Sequence, residues 1–124
     1  MSLLLDSNVL LWWFENSPRL RPDVLKLVCE EKQLLVSIVT PWELWIKAAQ
    51  GKLRMPDDLE SRLARDQIEL VHPTLSDARL AAHLPMLHRD PFDRMIIAQA
   101  LNRQAPIVTG DARLSDYGAE VVLV

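Results

Sequence analysis

Short apolar runs of strand length alternate with longer amphipathic segments along this chain, and this alternation limits its fold more than any other feature. The strand-like runs are LLLD, LLVSIV, IELVHP, APIVTGD and AEVVLV. The helix-like segments are SNVLLWWFEN, PDVLKLVCEEK, TPWELWIKAAQGKL, PDDLESRLARDQ, TLSDARLAAHL and DPFDRMIIAQALNRQ. Because parallel strands need helical crossovers that cover both faces of the sheet, the sequence predicts an α/β fold, a three-layer α/β/α sandwich with a central parallel sheet.

The length and composition fit one domain over residues 1–124. Of the 124 residues, 49% are hydrophobic and 25% are charged, which is enough to build a core without disulfide or metal staples. The single cysteine, Cys29, lies on the predicted apolar face of a helix, where a reduced core thiol suits a cytosolic protein. The N-terminal apolar stretch contains Asp6 and falls short of the ~20 residues that span a bilayer, so neither a signal peptide nor a membrane anchor is predicted.

Carboxylates occupy equivalent positions in this pattern. Asp6 and Asp111 close predicted strands, whereas Glu43 and Asp93 lie in the first turn of predicted helices. In a parallel α/β sheet, both kinds of position lie at the edge where the strands end and where ligands bind. These four residues are therefore the candidate catalytic and metal-binding residues.

Two predicted helix starts repeat one pattern, TPWE from Thr40 to Glu43 and DPFD from Asp90 to Asp93. Each contains a capping residue, a proline, an aromatic residue and an acid, in that order. Capping alone is an alternative explanation, because Thr40 and Glu43 would form a capping box and an acid in the first turn favours the helix dipole. The two strand-ending acids have the same alternative role, so the sequence leaves both interpretations open.

Carboxylates that converge on one pocket repel one another unless a cation neutralises them. Mg²⁺ suits such a site, since it takes one or two carboxylates, keeps several waters and accepts phosphate oxygens. A bound cation also makes an acidic pocket attractive to a polyanion, whereas the net charge of −3 gives the whole molecule no attraction for nucleic acid. One or two ions would allow phosphodiester hydrolysis without a nucleophilic side chain.

Other polar residues are candidates for supporting roles. The hydroxyls of Ser7 and Thr109 stand close in sequence to the strand-ending acids and can hydrogen-bond a carboxylate. Basic residues suited to holding a nucleic-acid backbone are Arg19, Arg21, Lys47, Lys52, Arg54, Arg89 and Arg94. Among them, Arg94 at a helix start is favoured for a phosphate contact, and Lys47 has the spacing for a helical ion pair with Glu43. The histidines lack metal-ligand spacing, and no phosphate-binding glycine loop is present.

The tryptophans form two closely spaced pairs, Trp12 with Trp13 and Trp42 with Trp45. We expect the core to take one member of each pair, because adjacent helical residues cannot both face one apolar stripe. The other member would meet solvent or a partner. Such a residue favours a protein interface over a base-stacking surface.

A resemblance to a known family is carried by long stretches of the chain, namely LLLDSNVLLWWF, VSIVTPWELWIKAAQGKL, LPMLHRDPFDRMIIAQA, IVTGD and YGAEVV. With these stretches the chain resembles the PIN-domain ribonucleases, and among them the VapC-type toxins of bacterial VapBC toxin–antitoxin pairs. WELWIK…GKL and HRDPFDRMIIAQA together are specific for one branch of the family. Family members often carry Thr or Ser and then His or Asn after the first acid, and Ser7 with Asn8 falls within that range.

The resemblance implies a fold, an activity and partners. It implies the α/β/α sandwich and a metal-dependent endoribonuclease that cleaves RNA with Mg²⁺ or Mn²⁺. The implied metal-binding quartet is Asp6, Glu43, Asp93 and Asp111, with Asp90 as a helix cap. It also implies a homodimer and a small VapB-type antitoxin, whose C-terminal segment occupies a groove beside the acidic site.

Other functions fit parts of the pattern. A phosphoacceptor signalling domain of the receiver type needs an aspartate at the end of a middle strand and a lysine at the end of a later one, but LLVSIVT and PIVTGD supply neither. A dehalogenase-like phosphatase needs D-x-D after the first strand, where this chain has Asp6, Ser7 and Asn8. A catalytically idle binding module on the PIN fold is the remaining alternative.

Overall fold

The computed structural model describes residues 2–30, 33–87 and 90–124. Its strands are β1 (Ser2–Leu5), β2 (Gln33–Ser37), β3 (Ile68–Val71), β4 (Ile107–Thr109) and β5 (Val121–Leu123). Its helices are α1 (Ser7–Glu15), α2 (Pro22–Glu30), α3 (Val39–Ala49), α4 (Leu59–Arg65), α5 (Leu75–His83) and α6 (Pro91–Arg103), with a 3₁₀ helix over Ala112–Tyr117. None of the helices in these ranges is both long and apolar enough to cross a membrane.

The described strands form one parallel sheet in the order β3-β2-β1-β4-β5. In the central strand β1, Leu5 lies opposite Val36 of β2 and Val108 of β4. Leu3 and Leu5 belong to a core that includes residues of α1, α2 and α4, whereas Leu4 belongs to a second core with α6 and the 3₁₀ helix. The predicted three-layer α/β/α sandwich with a central parallel sheet is therefore confirmed.

The central position of β1 explains its unbroken apolar run. Leu4 and Leu5 are fully buried, and such burial stabilises the fold by roughly 1.5–3 kcal/mol for each leucine side chain. A strand that is paired on both edges and covered on both faces has no solvent-facing side, so its apolar residues do not alternate with polar ones. Asp6 marks the point at which the chain leaves this core.

Aspartates cap two helices that begin near this end of the sheet. The Asp6 carboxylate accepts a hydrogen bond from the Val9 N–H at 3.0 Å at the start of α1. The Asp90 carboxylate accepts from the N–H groups of Phe92 and Asp93, at 2.9 and 3.3 Å, at the start of α6. Both capping roles that the sequence allowed are present, and each satisfies backbone donors that would otherwise lack partners.

The start of α3 differs from the predicted capping box. The helix begins at Val39, and the preceding Ile38 makes no side-chain cap. The Val39 N–H instead donates to the Ser37 hydroxyl at the end of β2, over 3.2 Å. Thr40 consequently lies inside the first turn, where its buried hydroxyl has no hydrogen-bond partner among the described residues. The interpretation of Thr40 and Glu43 as a capping box is therefore wrong.

Cys29 also differs from its expected place, since it is exposed rather than buried. Helix α2 turns Val24 and Val28 into the core, and these two residues are about one turn apart. Cys29 follows by one residue, which rotates it off that stripe toward solvent.

The tryptophans do not divide as one core residue per pair. Trp42 and Trp45 are both exposed, at 59% and 48% of their full surface, whereas Trp12 and Trp13 are both half-buried against the core. The buried residues of α3 are Thr40, Pro41, Glu43 and Leu44. Because the side of α3 that carries Glu43 and Leu44 faces inward, Trp42 and Trp45 face outward.

Arg94 joins α6 to the end of α5. Its buried guanidinium donates to the carbonyl oxygens of Ala81, Leu84 and Pro85, at 3.1, 2.7 and 2.9 Å. Carbonyls at the end of a helix have no partner inside that helix, and Arg94 supplies one. The expected phosphate contact is wrong for this residue, because its donors face the protein interior. Its role is to fix the first turn of α6, where Asp93 lies.

Replacement of Arg94 by methionine should lower the free energy of unfolding by about 2–4 kcal/mol, because the variant buries carbonyl groups that have lost a charged donor. Urea denaturation measures this change. The matched control is Arg79→Met, at an exposed position of α5, which should change stability by less than about 0.5 kcal/mol. Equal stability of the two variants would contradict the structural role.

Candidate active site

The four candidate carboxylates lie at the carboxyl edge of the sheet. Asp6 follows β1 directly, Asp111 follows β4, and Glu43 lies on α3 after β2. Asp93 lies in the first turn of α6, the helix that leads into β4. The chain passes from β1 to β2 and β3 and returns to add β4 on the other side of β1. Ligands of open α/β sheets bind at such a reversal of strand order.

Thr109 links the acids that follow the two neighbouring strands. Its buried hydroxyl donates to the Asp6 carboxylate and accepts from the Asp111 N–H at 3.0 Å. Burial raises the pKa of Asp6, hydrogen bonds from Thr109 and the Val9 amide oppose that rise, and the negative charge of Glu43 adds to it. Thr109 therefore has the supporting role that the sequence allowed, since it contacts both Asp6 and Asp111.

Glu43 is held by donors from two helices. The Ser7 hydroxyl of α1 donates to Glu43 Oε1 over 2.6 Å, and Lys47 Nζ lies 3.4 Å from Glu43 Oε2. Glu43 is only 6% exposed, so these partners replace the water that it would otherwise bind. Both the Ser7 contact and the predicted helical ion pair with Lys47 are confirmed.

The pKa of Asp93 shows the electrostatics of the site most clearly. Burial raises its pKa to about 7, with further contributions from the negative charges of Asp90, Glu43, Asp6 and Asp111, in that order. An ordinary aspartate would be ionised well below this pH. The other three candidates therefore act electrostatically on Asp93, and Asp90 adds to them from the helix cap.

Asp111 pairs with an arginine that the sequence interpretation did not single out. Arg113 Nε lies 3.0 Å from Asp111 Oδ1, and Arg113 Nη2 lies 2.8 Å from Oδ2. The Arg113 N–H also donates to Oδ1 over 3.0 Å, so Asp111 caps the 3₁₀ helix. The pairing raises the pKa of Arg113. The available sequence signal is an arginine two residues after a strand-ending acid, in D-x-R.

The repeated TPWE and DPFD patterns meet through their aromatic residues. The rings of Trp42 and Phe92 pack edge to face, with centroids 5.1 Å apart and an interplanar angle of 73°. Such contacts are worth about 0.5–1.5 kcal/mol beyond area burial. Because each aromatic residue directly precedes an acid, this contact holds the first turns of α3 and α6 together and keeps Glu43 and Asp93 at one site.

The donor set of this site is chemically suited to a hard divalent cation, since carboxylate and hydroxyl oxygens are the ligands that Mg²⁺ prefers. As the side chains stand, no three His, Cys, Asp or Glu residues in the described ranges are arranged to hold one metal ion. Two candidate ligands are turned toward cations of the chain, Glu43 to Lys47 and Asp111 to Arg113. Rotation of these side chains is thus needed for joint coordination.

A separate groove of about 510 Å³ lies between α1 and the end of α4. Its walls include Trp12, Trp13 and Phe14, and the Trp13 indole N–H donates to Asp66 over 2.9 Å. Arg62 also lines it and lies over the Phe14 ring. The groove contains none of the candidate carboxylates, so it is a second surface, distinct from the acidic site.

Comparisons with known proteins agree on one family. The family model of the PIN domain matches residues 3–120. Ribonuclease VapC22 of Mycobacterium tuberculosis (strain ATCC 25618 / H37Rv) is 30% identical over 119 residues, which cover 94% of this chain and 92% of that protein.

Solved structures share the fold. VapBC2 from Rickettsia felis, bound to a DNA fragment from their promoter, gives a TM-score of 0.74 at 15% identity and covers 99% of this chain and 98% of the matched one. VapBC-1 from nontypeable Haemophilus influenzae gives 0.73 at 18% identity with the same coverage of both chains. A toxin–antitoxin complex from Klebsiella pneumoniae gives 0.70 at 16% identity and covers 97% of this chain and 95% of the matched one.

The raised pKa of Asp93 predicts a loss of stability as the pH rises. Between about pH 4 and 7 the folded chain binds more protons at Asp93 than the unfolded chain does, so the free energy of unfolding falls across this window. Asp93→Asn should remove this contribution and be more stable than the wild type at pH 8, by about 2 kcal/mol after allowance for partial solvation.

Urea denaturation at pH 4.5 and pH 8, in the presence of a chelator, tests this expectation. The two chains should be closely matched at the lower pH and differ at the higher. Glu120→Gln, at an exposed position, is the control and should show no such divergence. If the wild type becomes more stable relative to Asp93→Asn as the pH rises, the assigned direction is contradicted.

Proposed function

Because this chain belongs to the PIN-domain family, with a VapC ribonuclease among its relatives, we propose that it hydrolyses RNA phosphodiester bonds with a divalent cation. The proposed ligands are Asp6, Glu43, Asp93 and Asp111. The observation that carries the proposal is the position of these four acids at the carboxyl edge of the sheet, where Thr109 holds Asp6, Ser7 holds Glu43, and the charges of the other three acids help to raise the pKa of Asp93. A site with this excess of negative charge gains stability from a bound cation.

The chain supplies oxygen donors and fixes their directions. Thr109 holds one Asp6 oxygen while the Val9 amide holds the other. Ser7 fixes one oxygen of Glu43. Asp6, which is held at both oxygens, therefore needs little reorganisation when substrate arrives, whereas the second oxygen of Glu43 must first leave Lys47.

When bound, Mg²⁺ or Mn²⁺ supplies Lewis acidity that lowers the pKa of water and offsets the charge of a phosphodiester. The carboxylates would place that chemistry between β1 and β4, where the order of the strands in the sheet reverses. No side chain needs to act as a nucleophile. The proposed activity is therefore an endoribonuclease that uses water and acts in the cytoplasm.

The chain is the toxin component of a type II toxin–antitoxin pair, with a small VapB-type antitoxin as its partner. The support is the VapC relative and the likeness to solved VapBC complexes. We place the antitoxin against the groove of Trp12, Trp13 and Phe14, whose aromatic walls and arginines suit a peptide with apolar and acidic side chains. The exposed Trp42 and Trp45 on α3 suit self-association, so we propose a homodimer.

Among the alternatives, the receiver-type phosphoacceptor loses its basis, because the chain matches the PIN family and β2 ends at Ser37 without an aspartate. An idle binding module on the same fold makes a different prediction about catalysis. It would bind RNA or antitoxin without metal-dependent cleavage.

Cleavage of pooled cellular RNA by the purified, antitoxin-free chain tests the activity. Cutting should require Mg²⁺ or Mn²⁺ and stop in a chelator. Replacement of residues outside the metal's direct ligands typically reduces activity by ~10–100-fold. Asp6→Asn and Asp93→Asn should each reduce the rate by more than this, whereas Glu120→Gln should not. Equal cutting by all variants would identify a contaminant, and absence of cutting by the wild type would favour the idle module.

Co-purification with a co-expressed small protein of the VapB type tests the partner. Trp13→Ala should weaken capture of that protein because it removes a wall of the groove, and Trp45→Ala should halve the particle mass measured by light scattering. Trp13→Phe keeps an aromatic wall but loses the indole N–H that donates to Asp66, so it separates the two contributions, and the melting temperature of each variant checks its folding. Full capture by Trp13→Ala would exclude the groove, and an unchanged mass for Trp45→Ala would exclude the α3 surface.

A further inference from the structure

Arg113 is an exposed cation held against a proposed catalytic carboxylate. Its guanidinium pairs with both oxygens of Asp111, at 3.0 and 2.8 Å. About 72% of the Arg113 side-chain surface is exposed. The negative charge of Asp93 also acts on Arg113. The guanidinium therefore lies at the solvent side of the acidic site, within electrostatic reach of two of its acids.

The ion pair between Arg113 and Asp111 is suited to exchange for a contact between Arg113 and an anionic substrate. An ion pair in contact with solvent contributes little stability, because water and salt screen it. The planar fork that fits a carboxylate fits a phosphate equally well, and guanidinium groups bind both in a bidentate manner. An anionic substrate that reaches this edge therefore meets a donor group already arranged for its oxygen atoms.

Two further basic side chains of the described residues, Lys47 and Arg94, lie next to the candidate acids. Lys47 is 43% exposed and lies 3.4 Å from Glu43 Oε2, but its ammonium is a point charge without the planar fork that binds two phosphate oxygens at once. Arg94 is buried and donates to backbone carbonyls. With a net charge of −3, the chain depends on local cations to attract a polyanion.

We propose that Arg113 is a substrate-positioning residue that leaves Asp111 to hold a phosphate of the RNA backbone next to the acidic site. The inference rests on the proposed function, since it takes RNA as the substrate. Release of the guanidinium also removes its two contacts to the Asp111 carboxylate, while the Arg113 N–H still donates to Oδ1. One side chain thus couples arrival of the substrate to exposure of a proposed metal ligand.

A double-mutant cycle on RNA binding tests the exchange. Wild type, Asp111→Asn, Arg113→Gln and the double variant are titrated into a fluorescent single-stranded RNA at low salt in a chelator, which separates binding from cleavage. Arg113→Gln should weaken binding about 3–10-fold and reduce the slope of log affinity against log salt by about 0.7, the value of one phosphate contact on a single strand. Asp111→Asn should tighten binding several-fold more when Arg113 is present than when it is glutamine.

The matched control is Arg65→Gln. Arg65 is also an exposed arginine that pairs with an aspartate, Asp66, at 3.2 Å, but it lies at the end of α4, before β3 begins, at the opposite edge of the sheet. This variant should change affinity less than twofold. Arg113→Lys, which keeps the charge without the fork, should restore the salt slope but only part of the affinity.

Strictly additive effects of the two substitutions, an unchanged salt slope for Arg113→Gln, or no RNA binding by any of the four chains would each overturn the proposal. A purely structural role for Arg113 would lower the melting temperature and leave the slope at its wild-type value. If metal-dependent cleavage is intact while the cycle is additive, only the role of Arg113 fails. If the cycle shows coupling while the wild type cuts no RNA, the proposed nuclease activity fails.

Discussion

Repulsion among carboxylates at one end of the sheet is the constraint on which the rest of the structure depends. Asp93 shows it most directly, because burial and the charges of neighbouring acids raise its pKa to about 7. Selection for stability alone would disperse these acids, since like charges destabilise a compact state. The chain instead holds them beside the most deeply buried strand, where the cores on both faces of the sheet offset the repulsion.

The four acids fall into two kinds according to their partners. Glu43 and Asp111 each pair with a cation from their own local segment, Lys47 and Arg113. Asp6 accepts hydrogen bonds from uncharged donors instead, and its pKa is raised, as is that of Asp93. A positive charge from outside the chain therefore gains most between Asp6 and Asp93, while the paired acids must first release their partners. This division explains why the site is electrostatically suited to a cation although its side chains are not yet arranged around one.

The sequence predicted the layers of the fold, the parallel sheet and the position of the four acids at its carboxyl edge. Apolar periodicity and the regular alternation of strands and helices in α/β folds determine these features. Side-chain contacts were less predictable. Arg94 satisfies helix-end carbonyls rather than a phosphate, and this depends on where the carbonyls of Leu84 and Pro85 lie after α5. Trp42 is exposed because α3 turns Glu43 inward. Arg113 escaped notice because its significance lies in its distance from Asp111, and composition and periodicity do not reveal distances.

Capping and site formation are compatible roles for the same aspartate. In Asp6, one oxygen accepts from the Val9 amide and the other from Thr109, so the cap fixes the direction in which the carboxylate points. In the DPFD segment the roles are divided, since Asp90 caps α6 and leaves Asp93, one turn further on, to join the acidic site. A helix start at a strand end thus provides both a rigid carboxylate and its support. The capping signals in the sequence therefore indicate how the acidic site is held, and they are not evidence against it.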